Sequence, residues 1–275
     1  MLLNILFLVC MIAITIVPLL NTLALSFSTA RGSMQPGIKL IPEPFSISGY
    51  ETLFDRIALW RPLLNNALVT ITGTFLHVTV CAITAYALVR ENFPGKTFFV
   101  VYMMITSMVP PQNIMIPLYV LFRQLHLINS LWAIIISGMV TTYTVFLLRN
   151  FFDSIPKSLS ESAFMDGASE LLVFFRIYLP LSTAGLATVT LFQFVGRWNH
   201  FLEAVLYLST PVKYTLQIAL KNLIIDSDIT SSTTDSISRN TQMAGVVISV
   251  TPLVLLYPFL QRYFISGIML GAVKG

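Results

Sequence analysis

Charge is scarce in this chain. Only 10% of its 275 residues are Asp, Glu, Lys or Arg, where a soluble chain carries about 25%. That shortage excludes a cytosolic enzyme and a disordered tail, and the formal net charge of +4 reads as lipid-facing and cytosolic basic residues rather than a nucleic-acid surface. Cysteine is almost missing. Cys10 and Cys81 both lie inside apolar runs, so no disulfide framework organises the fold and the compartment is unreadable from them. Histidine is sparse too: His77, His126 and His200 offer no pair at metal spacing. What is abundant is apolar surface, 56% of residues. It comes in runs of about 20 residues or more, the length a helix rising about 1.5 Å per residue needs to cross a hydrocarbon core about 30 Å thick.

Six such runs predict an all-α integral membrane protein forming a single transmembrane domain over 1–275, with spans at about 2–27, 63–89, 97–122, 131–148, 174–195 and 244–260. The first holds no charge. A cleaved signal peptide competes there, since Ser28, Thr29 and Ala30 resemble a cleavage site, but the basic n-region is missing and the run is about twice a usual h-region. No basic residue precedes this span, as expected if a short cytoplasmic leader lies ahead of it. Ser28 to Pro62, punctuated by Pro36, Pro42 and Pro44, reads as an ordered loop with at most a short helix. Pro110 and Pro111 remove two backbone donors from the third span and should kink or break it. Asp226 to Thr241, almost wholly Ser, Thr, Asp, Asn and Arg, reads as exposed and mobile. Gln261 to Gly275 reads as a tail.

Six spans place both ends on one side of the membrane. That side would hold Arg90, Lys96, Arg149, Lys157, Arg176, Arg262 and Lys274; the other basic residues lie on about twice the length of chain. Basic density therefore favours the first side as cytoplasmic, although the raw count does not decide it. Trp60, Trp132 and Trp198 fall at span ends on the opposite face, where amphipathic rings anchor at an interface.

Between the fourth and fifth spans, 149–172 mixes charge with small residues. Ser160 is a candidate N-cap for a short helix ended by Asp166 and Gly167, and Ala168 to Val173 follows as a second amphipathic turn. By itself this could be a plain interfacial connector. However, Glu161, Ser162, Ala163, three residues, Gly167, nine residues and then Ile177, Tyr178, Leu179, Pro180 resemble the EAA loop of ABC importer permeases at both spacings. Ser162 is the one departure, a small residue where a second alanine is usual. Ala85 to Lys96, Trp198 to Leu208 and the Gly271 to Gly275 ending extend the likeness to binding-protein-dependent carbohydrate permeases of the maltose-permease type.

The resemblance implies a cytoplasmic coupling helix between helices 4 and 5, with Glu161, Ser162, Ala163, Asp166, Gly167, Ile177, Leu179 and Pro180 as its coupling residues. It also implies a heterodimer with a second homologous permease, two ATPase subunits, and an extracytoplasmic solute-binding protein delivering an oligosaccharide. ATP and Mg would then belong to the ATPases, with no cofactor in this chain. The setting would be the bacterial cytoplasmic (inner) membrane, crossed in multiple passes with both termini cytoplasmic. A non-sugar cargo is the nearest alternative.

The alternative from another class, an ion-coupled secondary transporter, would normally place a carboxylate or paired charges at mid-membrane, and none of the 12 acidic residues falls at the middle of a span. A membrane enzyme lacks a catalytic constellation. Gly95, Lys96 and Thr97 mimic the end of a phosphate-binding loop, but position 90 is Arg where the motif needs Gly. Polar groups that could line a cargo path are Asn66, Thr70, His77, Gln193, Trp198 and Asn199, with hydrogen bonding between helices as the competing role. Near the outer mouth Arg197, His200, Lys213, Lys221 and Arg239 face Glu203, Asp226, Asp228 and Asp235. Their slight positive bias suits a docking surface for the binding protein, or an acidic cargo.

Overall fold

The computed structural model describes the backbone of residues 2–90, 93–229 and 237–272. It is helical almost throughout, as lipid requires when no water is present to satisfy free backbone groups. Among the described residues, three helices are long and apolar enough to cross a membrane: α1 (Leu2–Ser26), α4 (Trp60–Val89) and the first part of α15 (Arg239–Ala272). Between α1 and α4 the expected single short helix is two, α2 (Ala30–Met34) and α3 (Ser48–Ile57). Thr29 nucleates the first by accepting from Gly32 N–H, and the four prolines fall outside both.

Three of the expected spans are not straight. The third is α5 (Lys96–Ser107) and α6 (Pro111–Gln124), bent by 102° where Pro110 and Pro111 were expected to break it. The fourth, read as one helix over 131–148, is instead α7 (Leu131–Ile136) and α8 (Thr142–Asp153). Gly138 between them takes φ +62, a conformation that ends a right-handed helix. The fifth, read over 174–195, runs from α10 (Glu170–Val173) through a π turn at Phe174–Tyr178 and α11 (Leu179–Leu181), then turns by 80° into α12 (Thr183–Trp198). Pro180 supplies no N–H, and Leu179 N–H reaches back to Phe174 C=O to close the π turn; a short α13 (Leu202–Tyr207) follows α12.

The chain forms two compact units. In the first, residues 1–65 and 211–255, α14 (Leu216–Ile229) leads toward α15, and the start of α15 meets the 26–57 region. Buried Asn240 is the junction: its side-chain amide donates to Ser28 C=O and Ser48 Oγ, and its N–H to Ser33 Oγ. The mobile segment expected over 226–241 is helical at both edges, and 230–236 lie outside the described residues. The tail expected from Gln261 is helix through Ala272, with 273–275 outside the description. In the second unit, residues 66–210 and 256–275, Cys81, Ala85 and Tyr86 of α4, Val145, Leu148 and Phe152 of α8, and Val173, Phe174 and Tyr178 form one buried cluster.

Candidate functional site

The segment after α8 folds as two short helices set on that cluster. The first, α9 (Lys157–Met165), begins one turn earlier than Ser160 suggests. Pro156 starts it, and Ser160, 4% exposed, spends its hydroxyl on Lys157 C=O at 2.8 Å rather than capping. Gly167 at φ +81 closes the helix in a paired arrangement: its N–H donates to Phe164 C=O at 3.0 Å and Ala168 N–H to Ala163 C=O at 2.9 Å. Ser169 then caps α10 by accepting from Leu172 N–H.

The two helices divide their residues between two faces. Ala163, Phe164 and Ala168 are half-buried against the cluster, together with Ile177 and Leu179 farther along. Glu161, Ser162, Asp166 and Pro180 are exposed. So are two large apolar side chains, Met165 at 88% and Leu171 at 70%. Beside Glu161, a cavity of about 390 Å3 opens between α9 and the Val89 to Pro94 region.

Of the residues expected along a cargo path, four point into the chain's own packing. Asn66, Thr70 and His77 are buried on α4, and the Asn66 amide donates to Trp198 C=O at 3.2 Å. His77 donates from Nδ1 to Gly138 C=O at 2.9 Å, a tautomer fixed by the carbonyl being acceptor only, and its Nε2 lies 3.0 Å from Thr144 Oγ1. Trp198, expected as an interface anchor or a sugar platform, is buried and stacked on Phe194; Trp60 and Trp132 are exposed. Gln193 is half-buried and Asn199 exposed. Asn199 borders a cavity of about 370 Å3 shared with Gln112, His200 and Glu203. Burial holds His200 below the usual imidazole value, against the opposing pull of the Glu203 carboxylate 3.3 Å away.

Arg197 corrects the charge count at the expected outer mouth. It is 2% exposed, and Nη1 donates to Ile134 and Ile135 C=O while Nη2 donates to Ser137 and Gly138 C=O, at 3.2 to 3.4 Å. It is no surface cation. Gly73 makes room for it, since a Cβ there would lie 2.5 Å from Nη1.

Residues 60–269 match the model of the binding-protein-dependent transport system inner membrane component family. The chain belongs to this family. Among its relatives are the polygalacturonan/rhamnogalacturonan transport system permease protein YtcP of Bacillus subtilis (strain 168), 34% identical with 98% of this chain and 96% of the relative covered, and the arabinooligosaccharides transport system permease protein AraQ of Halalkalibacterium halodurans, 32% identical over 95% and 92%. A crystal structure of a bacterial ABC transporter involved in the import of the acidic polysaccharide alginate contains a chain that superposes with a TM-score of 0.86 at 28% identity, covering 96% of this chain and 95% of that one. This binding-protein-dependent permease is thus a transport component, not an enzyme.

Two groups in the permease escaped sequence reading. One is Tyr86, Arg90 and Glu170: the Glu170 carboxylate accepts from Tyr86 Oη at 2.6 Å and from Arg90 Nη2 at 2.7 Å. The available signal was Tyr86 and Arg90 spaced i,i+4 at a span end. The other is Arg197 with Gly73, whose signal was a basic residue inside an apolar run. Charge counting assigned it to a loop.

Proposed function

We propose that this chain is one of two homologous permeases of an ATP-driven oligosaccharide importer, fed by an extracytoplasmic binding protein and driven by two ATPase subunits that carry the ATP and Mg. It crosses the bacterial cytoplasmic membrane six times with both termini cytoplasmic. α1, α4 and α15 supply three crossings, the bent pairs α5–α6 and α10–α12 two more, and α7 with α8 the sixth. The oligosaccharide cargo is inferred from the sugars in the names of the relatives, and Asn199 with its neighbouring cavity is the described polar surface best suited to it. Arg197, withdrawn into the interior, adds nothing to a cationic mouth, so an acidic cargo rests on the polygalacturonan and alginate named for two of the relatives.

The observation that carries the coupling role is the outward face of α9 and α10. Met165 and Leu171 are mostly uncovered on the segment with the EAA pattern, beside exposed Glu161 and Asp166. Apolar side chains this exposed on short polar helices suit a groove in another protein, with Glu161 at its rim. Gly167 tests this. Its Cβ would meet nothing within 4 Å, so Gly167→Val acts through its positive φ, at a strain of about 1 to 3 kcal/mol. In the purified transporter, Gly167→Val is expected to lose ATPase association or sugar-stimulated ATP hydrolysis; wild-type coupling and uptake in that variant would refute the docking role.

A further inference from the structure

The α9–Gly167–α10 corner has little stiffness of its own. α10 runs on without a break through the π turn into α11, so the corner bends where α9 meets it, and the left-handed glycine that joins the two is uncrowded. Its angle is therefore set by whatever grips both sides of the corner. One helix end does so. Tyr86 and Arg90 follow each other by one turn where α4 finishes, with Arg90 N–H still donating to Tyr86 C=O. Both reach Glu170, one on each carboxylate oxygen. Arg90 also lies 4.7 Å from the centre of the Phe164 ring on α9, within cation–π range. A single arginine thus touches α9 and α10 on opposite sides of Gly167.

We propose that Tyr86, Arg90 and Glu170 form a tether that holds the angle between α9 and α10 and passes their displacement into α4, which makes them positioning residues for coupling ATP hydrolysis to transport. This rests on the docking role given above to α9 and α10. The Arg90–Glu170 pair alone would carry little, because the side chains are 32% and 55% exposed and such pairs are weak in water. The second oxygen changes that. Tyr86 donates to it from a ring fixed against Phe174 at 5.1 Å and Tyr178 at 4.9 Å, and Phe152 of α8 packs edge-on against both partners. A short bond to a carboxylate from an immobile ring is directional. Motion imposed on the exposed face of α9 and α10 accordingly reaches α4 through Glu170, and α8 through the ring cluster.

The test is the ratio of sugar imported to ATP hydrolysed by the complete transporter, with binding protein, in proteoliposomes, for Glu170→Gln, Tyr86→Phe and the double variant. ATPase association and hydrolysis are expected to persist while the ratio falls about five- to tenfold, with the double variant no worse than the stronger single. A merely stabilising contact would lower hydrolysis and uptake together and leave the ratio unchanged; that result, or wild-type behaviour, overturns the tether. Should Glu170→Gln not assemble, Tyr86→Phe decides alone, because it keeps the packed ring and removes only the hydroxyl. Failure of the docking role would show elsewhere, as a Gly167→Val complex that couples normally.

Discussion

Of the three broken spans of this permease, two are built in opposite ways. Between α7 and α8 the chain leaves helical geometry at Ser137 to Thr141, and its loose carbonyls are met from inside: Arg197 donates to four of them and His77 to Gly138. Both side chains are almost wholly buried. Between α5 and α6 the break comes from Pro110 and Pro111, and every residue from Met104 to Ile114 is exposed. Irregular backbone at membrane depth persists only where protein covers it or where it lines a watered cavity. In the six-span topology proposed above, the first break is complete within this chain, and the second calls for water or another chain. Arg197 and His77 spend their donors inside the first break, whereas Gln112 and Asn113 in the second are exposed.

The largest expected effect tests the sealed break. Arg197→Met keeps roughly the length of the side chain and removes every donor, leaving buried carbonyls unpaired, at an expected cost of about 3 kcal/mol or more. The detergent-solubilised protein should melt far below wild type or fail to accumulate. A smaller loss is expected for His77→Leu, which removes one donor to Gly138 and the partner of Thr144, about 1 to 3 kcal/mol. Near-wild-type melting of both variants would mean that the break does not depend on these side chains.

How legible each break was in the sequence follows from its physics. Two adjacent prolines announce the α5–α6 break locally, because the missing N–H groups are a property of those residues alone. The α7–α8 break rests on Gly138, which is locally tolerable in a helix, and on Arg197 some 60 residues away in sequence, a pairing that no local pattern encodes. The segment from Lys157 to Leu181 shows the same division. The spacing from Glu161 to Pro180 and the turn at Gly167 could be read directly, since caps and glycine conformations are local. The helix start at Lys157 and the grip on Glu170 could not, because they depend on Pro156 overriding a good capping residue and on α4 arriving from elsewhere. Asn66, Thr70, His77 and Trp198 were open in sequence to either a path or a packing role, and the structure finds all four buried.

The smallest stability effect is expected at the exposed break, in Pro110→Ala/Pro111→Ala. Pro111 occupies the first turn of α6, where its missing N–H costs nothing, and it holds Pro110 in extended geometry at ψ 133. Replacing both restores two donors and lets α5 continue toward α6. No buried contact is lost, so the melting of the isolated chain should shift by less than about 1 kcal/mol equivalent. Uptake should nevertheless fall, because a straightened helix carries Gln112 and Asn113 away from the position that the 102° bend gives them. Melting and uptake measured on the same preparation separate the two quantities. A double variant that unfolds as readily as Arg197→Met would place this break among the sealed ones, and one that unfolds normally and transports normally would remove any need for the bend.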